Sequence, residues 1–392
     1  MLNFEDTKIA FQNKSNGDLR WTGFLFKSLA RPSLVQFGKV ITNVALKSQM
    51  PIGWVIKPTL YKHFVGGETI EKCQPVVKEL AQYNVKSILD YSVEGTDKEE
   101  AIESALEETL RSVRNAANDE NIPFAVFKPT AFGESTMLQK VSENSPLTLH
   151  DEQQKEKFYR RIDLLCKTAY ENNISILIDA EDYAYQAYID TVVEEMMQKY
   201  NKTSAVVFNT LQMYRVDRLD FLKASISKAR SQGYYYGVKF VRGAYLEKER
   251  ERAYQMGYED PIQPDKESTD ADYNAALKYS VENIDIVSVF NGTHNEYSSR
   301  YLTELMEDHN IERSDNRVWF SQLYGMSDHI SFNLAAEGYN VAKYLPYGPV
   351  KHVLPYLIRR AEENTSVKGQ TSRELMLITQ EKKRRKKEKK MK

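Results

Sequence analysis

The sequence predicts an α/β fold: a (βα)8 barrel of the TIM type, with an N-terminal helical extension and a final helix carrying paired arginines. Two observations carry this. From about residue 85, short β-branched or aromatic runs alternate eight times with helical stretches. The runs are also nearly continuous in apolar character, which suits parallel strands buried on both faces. An eight-stranded doubly wound sheet is the competing arrangement. It is weakened because no GxGxxG loop follows the first run.

The elements follow in order. Residues 1–80 lack the alternation and read as a helical extension, with an apolar-periodic stretch over 20–49 broken at Pro32 and punctuation at Pro51, Pro58 and Gly66-Gly67. The eight runs are 85–92, 122–133, 174–182, 204–213, 234–245, 284–295, 317–325 and 340–348. Between them, Phe158, Ile162, Leu165 and Ala169 fall at spacings of 4, 3 and 4, one apolar helical stripe. Val350, Leu354, Leu357 and Ala361 repeat the rhythm in the closing helix. The expected division is an extension at 1–80, a barrel at 81–370, and a helix end with a disordered basic tail at 371–392.

Composition bounds the function. The chain has 392 residues and a net charge of −1. Residues 381–392 carry a net +7, so the other 380 carry −8. A body of that sign argues against a nucleic-acid binder. No apolar run is long enough to span a bilayer. The N-terminus shows no export or organelle signal. Cys73 and Cys166 make neither a disulfide framework nor a metal spacing, so a reducing cytoplasm is the expected compartment. The lysine-rich tail has two readings, a solvated end or an attachment to anionic lipid at the inner face of the cell membrane.

Barrels place their working groups where strands end and βα loops begin. The polar residues there are Lys128 and Thr130, Asp179 and Glu181, Gln212, then Lys239, Arg242 and Tyr245, followed by Thr293, His294, Asn295, Gln322 and Tyr344. HExxH, CxxC and GxSxG are absent, which argues against hydrolase and metal chemistry. His294 reads as a metal ligand, a general base or a neutral hydrogen-bonding group; no second His or Cys at ligand spacing supports the metal. Asp179 reads equally as a base or as a structural acid holding a lysine. In the last helix, Glu363 lies four residues after Arg359 and three after Arg360. Two guanidinium forks held by a carboxylate suit capture of a substrate carboxylate, although an exposed charge cluster has the same spacing.

Six motifs then carry a resemblance. KPTAFG (128–133), LIDAED (177–182), VKFVRGAY (238–245), GTHN (292–295), QLYGM (322–326) and YLPYGPV with LIRRAEEN (344–364) resemble the proline dehydrogenase family, in that family's order. FVGGE (64–68) is similar to its monofunctional, mitochondrial-type branch. The resemblance implies a barrel that binds FAD non-covalently and oxidises L-proline to Δ1-pyrroline-5-carboxylate, with a membrane quinone as electron acceptor. It implies that Lys128, Arg359 and Arg360 bind the proline carboxylate and that Glu363 holds the arginines. Asp179 would sit close to Lys128, and Tyr245, Leu323 and Tyr344 would wall the ring. Gln212, Lys239, Arg242, Gly243, Ala244, Thr293, His294, Asn295 and Gln322 match cofactor-contacting positions, with Lys239 near the flavin N5. Three cations facing one substrate carboxylate would leave a positive field beside the flavin. The product would pass to a separate pyrroline-5-carboxylate dehydrogenase. Tyr344 is bulkier than the Ser that hydroxyproline dehydrogenases have at the matching place, so proline is favoured over hydroxyproline.

Overall fold

The computed structural model describes residues 2–29, 31, 60–92, 98–366 and 370–391, excepting the side chains of 361–366, 370 and 371. Eight strands run in chain order: β1 (Val85–Tyr91), β2 (Phe124–Phe127), β3 (Ser175–Ile178), β4 (Val207–Gln212), β5 (Tyr236–Val241), β6 (Val287–Gly292), β7 (Val318–Leu323) and β8 (Val341–Tyr347). All ladders are parallel, in the order β1-β8-β7-β6-β5-β4-β3-β2. Between β1 and β2 the ring is drawn together where the Ser87 N–H donates to the Asn121 carbonyl at 2.9 Å. This is the barrel that the eight apolar runs predict.

Alternation along each strand explains why the runs are apolar throughout. One set of side chains fills the barrel: Ile88, Phe124, Val126, Leu177, Phe208, Phe290 and Ala342 form a single buried cluster. Phe124 stands edge-on to Phe208, Phe290 and Trp319 at centroid distances of 5.5, 5.1 and 5.3 Å. Such pairs contribute roughly 0.5–1.5 kcal/mol each beyond area burial. The opposite set, including Leu89, Phe127, Ile178, Leu211 and Val238, packs under the helices. Helix Leu149–Glu171 starts at a capping box, Thr148 with Asp151. It buries the stripe Phe158, Ile162, Leu165 and Ala169. Cys166 and Cys73 are both buried thiols.

The described extension is helical at Thr7–Ala10, Asn16–Leu29, Lys62–Phe64 and Ile70–Ala81. Pro32, Pro51 and Pro58 lie outside the described residues. The FVGGE stretch runs along the end of β8. The Gly66 N–H donates to the Pro346 carbonyl at 2.8 Å. A Cβ on Gly66 would meet the Leu345 side chain at 2.6 Å, so a residue with a side chain cannot approach β8 this closely.

The C-terminus differs from expectation. Residues Gln370–Met391 form one helix rather than a disordered tail. Leu377 and Ile378 pack against Ala10, Phe11, Leu19 and Phe26 of the extension. Arg385 donates to the carbonyls of Phe11 and Lys14 at 2.9 and 2.8 Å, and Arg384 and Arg385 hold the buried Glu381. These anchors order the helix, while Lys382, Lys383, Lys386, Lys387, Lys389 and Lys390 stay exposed.

Candidate active site

The C-terminal ends of β1, β2, β3, β5 and β8 converge on one polar cluster. Lys128, one residue past β2, donates to Asp90 of β1 at 2.6 Å and stands 3.9 Å from Asp179, one residue past β3. The second oxygen of Asp179 is held from two sides. Lys239 of β5 reaches it at 2.6 Å, and the Tyr344 hydroxyl of β8 donates to it at 2.7 Å. Lys239 also lies 3.1 Å from that hydroxyl and 4.5 Å from the ring centroid. All five groups are among strand residues or sit one position beyond a strand, which fixes their directions by the pleat.

The electrostatics follow from this packing. Burial alone would raise the Asp179 carboxyl, but Lys239 and Lys128 outweigh it and hold it below the usual range. Burial, then Asp179, pushes the Tyr344 hydroxyl well above its ordinary value, so it stays protonated and donates. Of the two readings of Asp179, the acid that holds a lysine matches this geometry. Asp90 changes the charge balance. It neutralises Lys128, so the expected field of three uncompensated cations is reduced at that lysine. Sequence reasoning missed Asp90, although it occupies a strand end of β1 as Asp179 does beyond β3.

A second group lies beside the first. Glu181 accepts from Thr130 at 2.6 Å and from the Tyr245 hydroxyl at 3.2 Å. Its backbone is fixed as well: the Glu181 N–H donates to Gln186 at 2.8 Å, and Gln212 of β4 donates to the Glu181 carbonyl at 2.7 Å. Arg359, on helix Val350–Ser366, is near enough that its charge opposes the rise of the Tyr245 pKa, which Glu181 and burial dominate. Leu323 is half-buried and touches both the barrel interior and the underside of the arginine helix, where Val353, Leu354 and Leu357 pack.

The third group is the arc from β5 to β7. Arg242 donates to Asp270, Thr293 and Ser298 at 2.7, 2.6 and 3.0 Å, and its guanidinium stacks 4.3 Å from the Tyr273 ring centroid. Gln322 donates to the Thr293 carbonyl at 3.0 Å, and Ser331 donates to Gln322 at 2.7 Å. Asn295 caps helix Glu296–Asp308 by accepting from the Ser298 N–H at 3.1 Å. The His294 Nδ1 lies 2.9 Å from the Ser327 hydroxyl. Burial pushes this imidazole down to about 3, with Lys343 and Arg360 adding to the effect, so it is neutral. Among the described residues no three His, Cys, Asp or Glu side chains group as a metal site. Gly243 (φ +130°) and Ala244 leave exposed backbone between Arg242 and Tyr245.

The predicted residues thus fall into a lysine–aspartate–tyrosine cluster, a Glu181–Tyr245 pair, and a donor-rich arc. Arg359 and Arg360 lie on the helix above, half-buried, with Arg360 5.4 Å from the Tyr356 ring centroid. The side chain of Glu363 lies outside the described residues, so its expected hold on the arginines is not part of this geometry. The arc fits an anionic dinucleotide in its chemistry. It offers one cation (Arg242), amide side chains, a neutral imidazole and open backbone at Gly243-Ala244, with Lys239 of the first cluster alongside. The buried Thr210 hydroxyl of β4, next to Lys239 in the ladder, has no hydrogen-bond partner among the described residues.

The family model described as proline dehydrogenase matches residues 73–373. The carbapenem antibiotics biosynthesis protein CarD of Pectobacterium carotovorum subsp. carotovorum is 36% identical over 323 residues, 81% of this chain and 82% of that protein. Mitochondrial proline dehydrogenase 1 of Dictyostelium discoideum is 30% identical over 426 residues, 97% of this chain and 74% of that one. Among solved structures, proline utilization A from Bdellovibrio bacteriovorus, inactivated by N-propargylglycine, superposes with a TM-score of 0.72 at 21% identity. That match covers 93% of this chain and 38% of the longer protein, and it shows the shared fold. By the extent of the family match and the relatives that span most of the chain, the chain belongs to the proline dehydrogenase family.

Proposed function

We propose that the chain oxidises L-proline to Δ1-pyrroline-5-carboxylate, using non-covalently bound FAD and delivering electrons to a membrane quinone. The observation that carries this reading is the Lys128–Asp179–Tyr344–Lys239 cluster at the barrel mouth, with Arg359 and Arg360 on the helix above. Family membership supports the coarser part, a role in proline oxidation and catabolism. When bound, the flavin supplies hydride acceptance from proline C5 and electron transfer to the quinone.

The chain's own residues do the rest. Arg359, Arg360 and Lys128 take the substrate carboxylate, two of them as forks. Tyr245, Leu323 and Tyr344 wall the ring and keep water from it. Asp179 holds both Tyr344 and Lys239, so the wall and the lysine facing the cofactor move as one unit. Gln212, Lys239, Arg242, Gly243, Ala244, Thr293, His294, Asn295 and Gln322 would hold the cofactor, and Arg242 reaches that task already oriented by Asp270 and Ser298. The reading places the protein in the cytoplasm, peripheral at the inner membrane face through its exposed lysines, with product passing to a separate dehydrogenase. No described helix is long and apolar enough to cross a membrane.

The test is an anaerobic titration of the purified protein with L-proline, followed by visible absorption. A flavin spectrum that bleaches with proline supports the reading. Bleaching by hydroxyproline alone overturns the substrate assignment. A protein that cannot be loaded with FAD overturns the activity.

A further inference from the structure

The proposed reaction leaves one proton without a destination. At neutral pH the ring nitrogen of proline is an ammonium, and a hydride cannot leave the adjacent carbon until that nitrogen has a lone pair to form the C=N bond. Some group must take the proton first. Of the three carboxylates described at the strand ends of this cluster, Asp90 is paired to Lys128 and Asp179 to Lys239. Glu181 is 5% exposed and has no ion pair among the described residues; its oxygens meet only hydroxyls, those of Thr130 and Tyr245. The Tyr245 ring is half-buried and lies within the electrostatic reach of Arg359, where the substrate carboxylate is proposed to bind. A proton route through Tyr245 requires a ring held by that clamp to present its nitrogen toward the Tyr245 hydroxyl.

We propose that Glu181, reached through the Tyr245 hydroxyl, accepts the proton that the substrate's ring ammonium gives up before oxidation. This rests on the proline-oxidising reading above. The nitrogen's N–H bond breaks and leaves its electron pair on nitrogen. The tyrosine oxygen takes that proton while its own passes to Glu181 Oε2, so the hydroxyl ends unchanged and the glutamate ends neutral. The later hydride goes to the flavin and is a separate step.

The surroundings suit an acceptor of this kind. Burial pushes the Glu181 carboxyl up to about 7, a value matched to a general base at neutral pH. Hydrogen bonding by Thr130 and the charge of Lys128 pull it down, while Asp179 and Asp182 push it up, the latter itself paired to Lys248 at 2.8 Å. Asp179 is held low by its lysines and Tyr344 is held protonated, so neither competes.

The test compares wild type, Glu181→Gln and Tyr245→Phe as FAD-loaded proteins, by stopped-flow reduction with L-proline from pH 6 to 9. Wild type should rise with pH, bend near 7 and level off. Both variants should lose the bend and climb about tenfold per pH unit, because they must wait for proline that is already deprotonated. At pH 7 their rates should fall by roughly 100-fold. A second readout needs no turnover: a protonated-carboxyl infrared band in the substrate-free protein should titrate near pH 7 and vanish in Glu181→Gln. A wild-type bend in Glu181→Gln, or no such band in wild type, overturns the role of Glu181. An unchanged profile in Tyr245→Phe overturns the relay. If wild-type flavin is not reduced by proline at all, the functional reading itself fails and this proposal falls with it.

Discussion

Replacing Asp90 by Asn tests whether the resting site restrains its own lysine. Asn keeps the volume and removes the charge that sits 2.6 Å from Lys128, in a pair whose side chains are 4% and 21% exposed. Stripping one partner from a fully buried pair costs roughly 3–5 kcal/mol. Here Lys128 keeps some solvent and a second acid at 3.9 Å, so the loss should be nearer 2 kcal/mol, about 2 °C in Tm for a chain of this length. Ligand binding should move the other way. A substrate carboxylate docked on the far side of Lys128 stands about 5–6 Å from Asp90. At an effective dielectric near 20 the repulsion between them is about 3 kcal/mol. If half survives screening by water, Asp90→Asn tightens carboxylate binding about tenfold. The assay pairs a thermal melt with a titration by a five-membered-ring carboxylic acid that lacks the amine and cannot turn over. Lower Tm with tighter binding is the expected outcome. Weaker binding would show that Asp90 positions Lys128 rather than neutralising it, and would refute the charge-balance argument.

Glu181→Gln should also change stability with pH. The folded carboxyl titrates near 7 against an ordinary 4.5, so between those values the unfolded state holds fewer protons and wild-type stability falls as pH rises, by about 3 kcal/mol in all. The variant should therefore melt higher than wild type at pH 8 and level with it at pH 4; equal gains at both would contradict the burial argument. Tyr344→Ser should raise kcat/KM for trans-4-hydroxyproline relative to proline, while removing the donor to Asp179 should lower Tm by a few degrees. An unchanged substrate ratio would discard the steric reading. Changing Lys383, Lys386, Lys387 and Lys390 to Gln should weaken binding to anionic vesicles at low salt and leave the melt unchanged, since none is among the residues anchoring the helix. Equal vesicle binding by this variant would reject the lipid role.

The barrel was legible because each strand is buried on both faces, which writes an unbroken apolar run into the chain. The strand-end rule likewise marked Lys128, Asp179, Lys239 and Tyr344, since a strand's last residues can only point into the mouth or away from it. Pairings between those ends were not legible. Asp90 lies 38 positions before Lys128, and Glu181 lies 64 before Tyr245; nothing local announces either contact. The C-terminal helix was hidden for a different reason. Its inner face is partly charged: Glu374 and Glu381 are 3% and 0% exposed, so a lysine-rich run conceals a buried stripe of Glu374, Leu377, Ile378 and Glu381. Charge counting reads such a run as solvated, whereas Arg384 and Arg385 satisfy Glu381 within the same helix.

That helix also bears on the order in which the molecule can be assembled. The Ser327 N–H, in the loop after β7 beside His294, donates to Glu374, which lies 47 positions later. Arg385 closes on Phe11 across 374 positions. A nascent chain can collapse its strands as they emerge, but these two contacts require a helix made after all eight of them. The barrel mouth is therefore completed later than the barrel itself, and a chain made only as far as β8 would be compact yet unfinished at the place where chemistry occurs.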